Sequence, residues 1–378
     1  MTGSTAIRPF RIDVPQRDVD DLRDRLARAR WTRRLGGDDW GLGVPTAYLR
    51  ELAAHWRDGF DWRAVEGELN GLPQFMTGLD GYEAHFVHVR SPEPDALPLV
   101  LAHGWPHSFV EFADLVGRLA DPRAHGADPA AAFHVVIPSV PGFGFSSPPR
   151  EGLTLAGVGR MWAALMRRLG YERYGVQGGD LGAYIAPEVA KADPDRVAGV
   201  YITGGLGFPT EADVPGMSDE ERKAYEELRS ADWVNGVDHH ALLRAAPRTF
   251  AHGWHDSPVA ALAWMAQKFH EFSMGARPAD QVVGRDRFLA NLSLYWFTDT
   301  FGTSSWPMYT TTGLGWPEGQ KAVPTGVYSG APGIRRLAER HNTVVHWPEG
   351  NTSGHHFVAL SDPGPYAADL RAFFRLVR

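Results

Sequence analysis

The chain has 378 residues, 43% of them hydrophobic, and a formal net charge of −7. This is a globular composition, long enough for a large core with one or two accessory regions, and its negative balance argues against a nucleic-acid surface, which needs clustered Lys and Arg. There is no cysteine, which excludes disulfides, thiol nucleophiles and Cys-ligated metal. No run approaches the ~18 apolar residues of a membrane span, and the opening "MTGSTAIRPF" has no apolar leader core. The expectation is a cytoplasmic protein that engages neither nucleic acid nor membrane.

In chain order, residues 17–31 set Val19, Leu22 and Leu26 at helical spacing, and residues 45–56 form a second amphipathic helix. Residues 82–91 alternate as a strand, so 1–90 read as an N-terminal helical, wrapping segment. Over 91–205 a regular series follows. Strands at 97–105, 133–142, 173–180 and 197–204 alternate with helices at 108–120, 156–170 and after residue 180. Apolar strands alternating with helices predict an α/β protein with a mostly parallel sheet covered on both faces. From 206 to 320 the strand rhythm stops and the chain turns helical and aromatic, with Trp233, Trp254, Trp264, Trp296, Trp306 and Trp316. This segment reads as a cap inserted over the sheet. The sheet resumes over 321–378, with strands at 321–330 and 342–350, a loop carrying His356 and a closing helix.

Functional groups of an open parallel sheet gather at the carboxyl ends of its strands, and three such ends stand out. "GVQGGDLGAYIAPEVA" (175–190) has the outline of a nucleophile elbow, a tight turn between strand and helix, with Asp180 where serine is usual. A carboxylate there forms an ester with carbon, and a nearby histidine then activates water to cleave it. "SGHHF" (353–357) supplies His356 late in the chain. "HGWP" (103–106) offers a loop whose Trp105 N–H, with that of Leu181, faces a developing oxyanion. The blander readings are that His103 satisfies loop backbone, that His355 is structural or faces solvent, and that the aromatic cap is packing.

The stretches "HGWPHSFVEF", "VIPSVPGFGFSSPP", "VQGGDLGAYIAPEVA", "DSPVAALAWMAQKF", "LYWFTDT", "VPTGV" and "GHHFVAL" resemble successive signatures of the microsomal-type epoxide hydrolase family of the α/β-hydrolase superfamily. The N-terminal "FRIDVPQRDVDDLRDRLARARW" resembles that family's own N-terminal region. The resemblance implies an α/β-hydrolase fold with an inserted helical cap and a helical N-terminal extension. It also implies Asp180 as nucleophile, His356 as base, the HGWP loop as oxyanion hole and two cap tyrosines that donate to the epoxide oxygen. The chain departs from the pattern at several positions. Leu181 stands where the family carries Trp. Tyr309 matches one cap tyrosine, whereas His239 occupies the other position. Gly333 fills the slot of the acid that partners the histidine, leaving Glu211, Asp213 and Glu349 as carboxylates able to reach in from loops. The family's membrane anchor has no counterpart here.

The reading is an enzyme that opens an epoxide on a bulky apolar or aromatic molecule to a diol, in specialised metabolism. Trp233, Trp254 and Pro106 line its substrate pocket, and its partners are the epoxide and water. It calls for no metal and no cofactor and leaves assembly into a homo-oligomer open. The alternatives are a haloalkane dehalogenase, which shares the Asp nucleophile, and a degenerate relative that binds or rearranges a metabolite without hydrolysis.

Overall fold

The structure, a computed structural model, describes residues 5–33, 35–203, 211–229, 236–273, 277–310, 319–328, 335–348 and 356–378. The apolar run Leu97–Ala102 is buried at every position, as expected of a central strand with both faces covered. Among the described residues it sits within a nine-stranded sheet. In chain order the strands are β1 (Arg8–Phe10), β2 (Gln74–Leu79), β3 (Tyr82–Val89), β4 (Leu97–Ala102), β5 (Phe133–Pro138), β6 (Tyr174–Gly179), β7 (Val197–Thr203), β8 (Pro324–Val327) and β9 (Thr343–His346). Their spatial order is β1-β2-β3-β5-β4-β6-β7-β8-β9. The pairs from β5 to β9 are parallel, and β1, β2 and β3 add an antiparallel edge at β5.

That edge differs from the reading of 1–90 as a helical wrap. β2 and β3 extend the sheet itself, with Gln74 opposite Val87 and Leu79 opposite Tyr82. β2 escapes a sequence reading because "QFMTGL" carries Gly78 and no regular alternation of apolar and polar residues.

The preceding helices Gln16–Ala27, Thr46–Asp58 and Trp62–Leu69 pack on the cap helices Pro258–Phe272 and Arg285–Thr298. Asp61 starts the third of them by accepting a hydrogen bond from the Ala64 N–H. Trp56 Nε1 donates to Ser293 Oγ at 2.9 Å, and Tyr48 donates to Asp280 at 2.8 Å. Arg287 joins the layers through Glu68 and Asp114. The N-terminal helices and the cap thus form one helical layer above the carboxyl edge of the sheet. No described helix is long and apolar enough to cross a membrane.

Candidate active site

β6 ends at Gly179, and the next residue turns with φ +51° and ψ −119° before helix Leu181–Ala192 begins. This residue is Asp180. A side chain rarely holds positive φ, at a cost of roughly 1–3 kcal/mol, unless its surroundings enforce it. Here they do: a Cβ on Gly182 would lie 2.0 Å from the Ala102 carbonyl oxygen, so the helix starts hard against the end of β4. The turn lifts the Asp180 carboxylate clear of the sheet, where its side chain is 35% exposed.

The end of β4 meets it. The Trp105 N–H donates to Asp180 Oδ1 at 2.7 Å, and the Trp105–Pro106 peptide is cis. His103 is fully buried, and its Nε2 accepts from the Val140 N–H at 3.2 Å. Burial pushes its pKa down to about 4, so it is a neutral imidazole that satisfies loop backbone. Leu181, the other expected oxyanion donor, is the buried first residue of its helix.

His356 arrives from the far end of the sheet with Nε2 3.9 Å from Asp180 Oδ2. Its ring lies between Phe272 (4.8 Å, 26°) and His107 (5.5 Å, 16°), with Phe357 edge-on at 5.1 Å. Burial lowers its pKa; the Asp180 charge and the Trp105 carbonyl pull the other way. The imidazole is therefore held in the neutral form a general base needs. Among the described residues, Asp180 is the carboxylate within ion-pair range of it. Asp213 pairs instead with Arg340, and Glu211 opens the same short turn, Glu211–Gly216. Gly333, Glu349 and His355 lie outside the described residues.

The cap brings some expected residues to this point and not others. His239 stacks on Trp105 at 5.1 Å and 7°, with Phe272 edge-on at 5.3 Å. Burial, then His240, Lys268 and His356, push its pKa well down, leaving a neutral imidazole over the 103–106 loop. Tyr309 is 39% exposed and lines an outer cavity of about 780 Å³ with Arg248, His252 and Thr303. Trp254 was expected to face Asp180. It stands one ring away, stacked on Trp264 at 4.9 Å, and Trp264 in turn reaches Trp105 at 6.0 Å. Trp254 lines a cavity of about 550 Å³ with Trp31, Leu49 and Val237, between the N-terminal helices and the cap. The other rings around Trp254, Phe250 at 5.8 Å and Phe301 at 6.5 Å, also belong to the cap. Pro106 turns its carbonyl to Asn291. Trp233 lies outside the described residues.

Two groups escaped the sequence reading. His240 feels the Asp180 charge, which partly offsets the burial that lowers its pKa; its place beside His239 was the available signal. Glu111 is buried near the elbow, and desolvation followed by the Asp180 charge pushes its carboxyl well above the usual range. Its protonated form is thereby favoured close to Asp180.

Residues 7–112 match the family described as Epoxide hydrolase N terminus, and residues 98–279 match the alpha/beta hydrolase fold. The chain is 37% identical over 98% of its length to a protein of Stigmatella aurantiaca (strain DW4/3-1) named as a candidate epoxide hydrolase, covering 86% of it. It is 29% identical to Epoxide hydrolase 1 of Oryctolagus cuniculus, over 98% of this chain and 89% of that one. Among solved structures, juvenile hormone epoxide hydrolase from the silkworm Bombyx mori superposes with a TM-score of 0.85 at 25% identity, covering 99% and 96% of the two chains. Aspergillus niger epoxide hydrolase superposes at 0.82 and 27% identity, covering 100% and 98%.

Proposed function

The chain belongs to the microsomal-type epoxide hydrolase family of the α/β-hydrolase superfamily, and from that premise we propose that it hydrolyses an epoxide through a covalent ester on Asp180. One observation carries the reading. The strained elbow presents a carboxylate with one oxygen held by the Trp105 N–H at 2.7 Å and the other 3.9 Å from a half-buried His356 whose pKa desolvation lowers, favouring its neutral form. Asp180 Oδ2 attacks an epoxide carbon, the C–O bond of the ring breaks, and the oxygen leaves as an alkoxide stabilised by donors from the cap. His239 over the loop supplies one such donor, and Tyr309, on the helix Trp306–Thr310 packed against the His239 helix, supplies the second. His356 then takes a proton from water as its oxygen adds to the ester carbonyl. The oxyanion is met by the N–H groups of Trp105 and Leu181. On its collapse the ester oxygen leaves with the proton returned from His356, and the second water proton passes from the new carboxyl to the alkoxide, giving the diol and restoring the Asp180 carboxylate.

The rings of Trp105, Trp264, Phe272 and His239 around this point favour a bulky apolar or aromatic epoxide. Role substitution at the donor positions suits a narrow substrate, and specialised metabolism forms part of this proposal.

The test is a single turnover of an aryl epoxide in heavy-oxygen water. The expected diol carries no label, because its new oxygen comes from Asp180, and the label stays in the enzyme. Asp180→Ala is expected to make no diol while keeping the fold. Label in the diol from the first turnover refutes the ester. Diol absent with a folded wild-type protein, across several aryl and alkyl epoxides, refutes hydrolysis.

A further inference from the structure

Asn291 and Tyr295 lie four residues apart on the cap helix Arg285–Thr298, so they share one face of it. Both are buried, and a polar side chain in such a place must be hydrogen-bonded or destabilise the fold. Both find their partners on one short stretch of the loop after β4. Asn291 Nδ2 donates to the Pro106 carbonyl at 2.7 Å, and the Ser108 hydroxyl donates to Asn291 Oδ1 at 2.8 Å. Tyr295 donates to the His107 carbonyl at 2.6 Å. The amide thereby uses its donor and its acceptor each in the right sense.

Three consecutive residues, Pro106, His107 and Ser108, are therefore gripped from the cap. The residue before them, Trp105, carries the N–H that meets Asp180 Oδ1. The middle one, His107, lays its ring parallel to that of His356. Neither nitrogen of His107 has a hydrogen-bond partner, so within the described structure this ring serves its neighbours through packing. One helix of the cap thus holds both the oxyanion donor and the ring against which the base rests.

We infer that Asn291 and Tyr295 are positioning residues for the ester-hydrolysis half of the reaction, acting through the 105–108 loop on Trp105 and His356; this rests on the covalent-ester reading above. The asymmetry between the half-reactions follows from charge. When the ester forms, negative charge leaves Asp180 for the epoxide oxygen, and the Trp105 N–H loses an ionic partner. When the ester is cleaved, an oxyanion appears on the oxygen facing that N–H while His356 takes a proton. A loop shift of a few tenths of an ångström therefore weighs on the second step.

The experiment follows the alkyl-enzyme by rapid-quench mass spectrometry in the wild type, Tyr295→Phe and Asn291→Leu. Tyr295→Phe keeps its ring and removes the hydrogen bonds of its hydroxyl, to the His107 carbonyl and with Ser304. It is expected to form the ester within about twofold of the wild-type rate and to cleave it about tenfold more slowly, so that the ester accumulates. Asn291→Leu is expected to do the same to a greater degree; should it fail to fold, Tyr295→Phe decides alone. Equal slowing of both steps, or no effect on cleavage, overturns the inference while leaving the ester mechanism standing. A wild-type enzyme with no ester at any time overturns both.

Discussion

Gly104→Ala probes how closely the 103–106 loop and Asp180, the proposed nucleophile, are fitted. A Cβ on Gly104 would lie 2.4 Å from Asp180 Cβ and 2.6 Å from its Oδ1. Ordinary contact between carbons begins near ~3.5 Å, so relief needs a shift of about 1 Å between loop and elbow. The elbow cannot yield, because Gly182 is already pressed against Ala102, and the loop must move. A 1 Å retreat takes the Trp105 N–H from 2.7 Å beyond the ~3.2 Å limit of a useful hydrogen bond. Loss of one such donor costs on the order of 10²–10³ in kcat, whereas the overpacking itself costs about 1–3 kcal/mol of stability. The assay is steady-state diol formation beside a thermal melt, with rapid quench locating the slow step in ester cleavage. A kcat within about threefold of wild type, at unchanged Tm, would refute the reasoning, since loop and carboxylate would then not be in contact.

Acid is expected to destabilise the fold through its buried histidines. The folded-state pKa of His85 is pushed down to about 3 and that of His103 to about 4, with His107 also well below 6.5, in each case chiefly by burial. A group depressed in the fold contributes stability above its unfolded pKa near 6.5, which is lost as pH falls toward the folded value. Melts between pH 7 and pH 5 should therefore show Tm falling by several degrees, and a flat or rising Tm refutes this account. Lys268 is fully buried, donates to the Val237 carbonyl and pairs with Glu271, which also accepts from the Val237 N–H. Lys268→Met strands that carboxylate and should cost about 3–5 kcal/mol in denaturant unfolding. Adding Glu271→Gln should recover part of the loss, and no recovery would show that charge is not the cause. His239→Phe keeps the stack on Trp105 but removes the donor, and is expected to slow ester formation about 10²-fold with cleavage little changed. Tyr309→Phe should show the same selectivity, and an equal effect on both steps would mark either residue as packing.

The parts of the fold legible in the sequence are those whose cause is local. Leu97–Ala102 and Val197–Thr203 read as buried strands because an unbroken apolar run has nowhere else to go. Asp180 was visible because glycines at 178, 179 and 182 permit a turn that few other residues allow. Chain order then set His103 through Pro106 and His356 at strand ends, and the structure places Trp105 and His356 on either side of the Asp180 carboxylate. β1 was missed because a short edge strand needs only a neighbour to pair with, and that neighbour is not written into its own residues; β2 was missed because Gly78 and the lack of alternation hide its period.

What the sequence by itself determined was the α/β alternation, the elbow and the three strand ends, since periodicity and turn chemistry act within a few residues. Only the tertiary structure decided that the N-terminal helices share a layer with the cap, through pairs such as Trp56 with Ser293 and Tyr48 with Asp280. It alone stacked Trp254 on Trp264, put His239 on Trp105 and clamped residues 106–108 with Asn291 and Tyr295. These contacts join surfaces far apart along the chain. Each depends on the shape both partners reach only after the whole chain has packed, so no local pattern of residues can carry it.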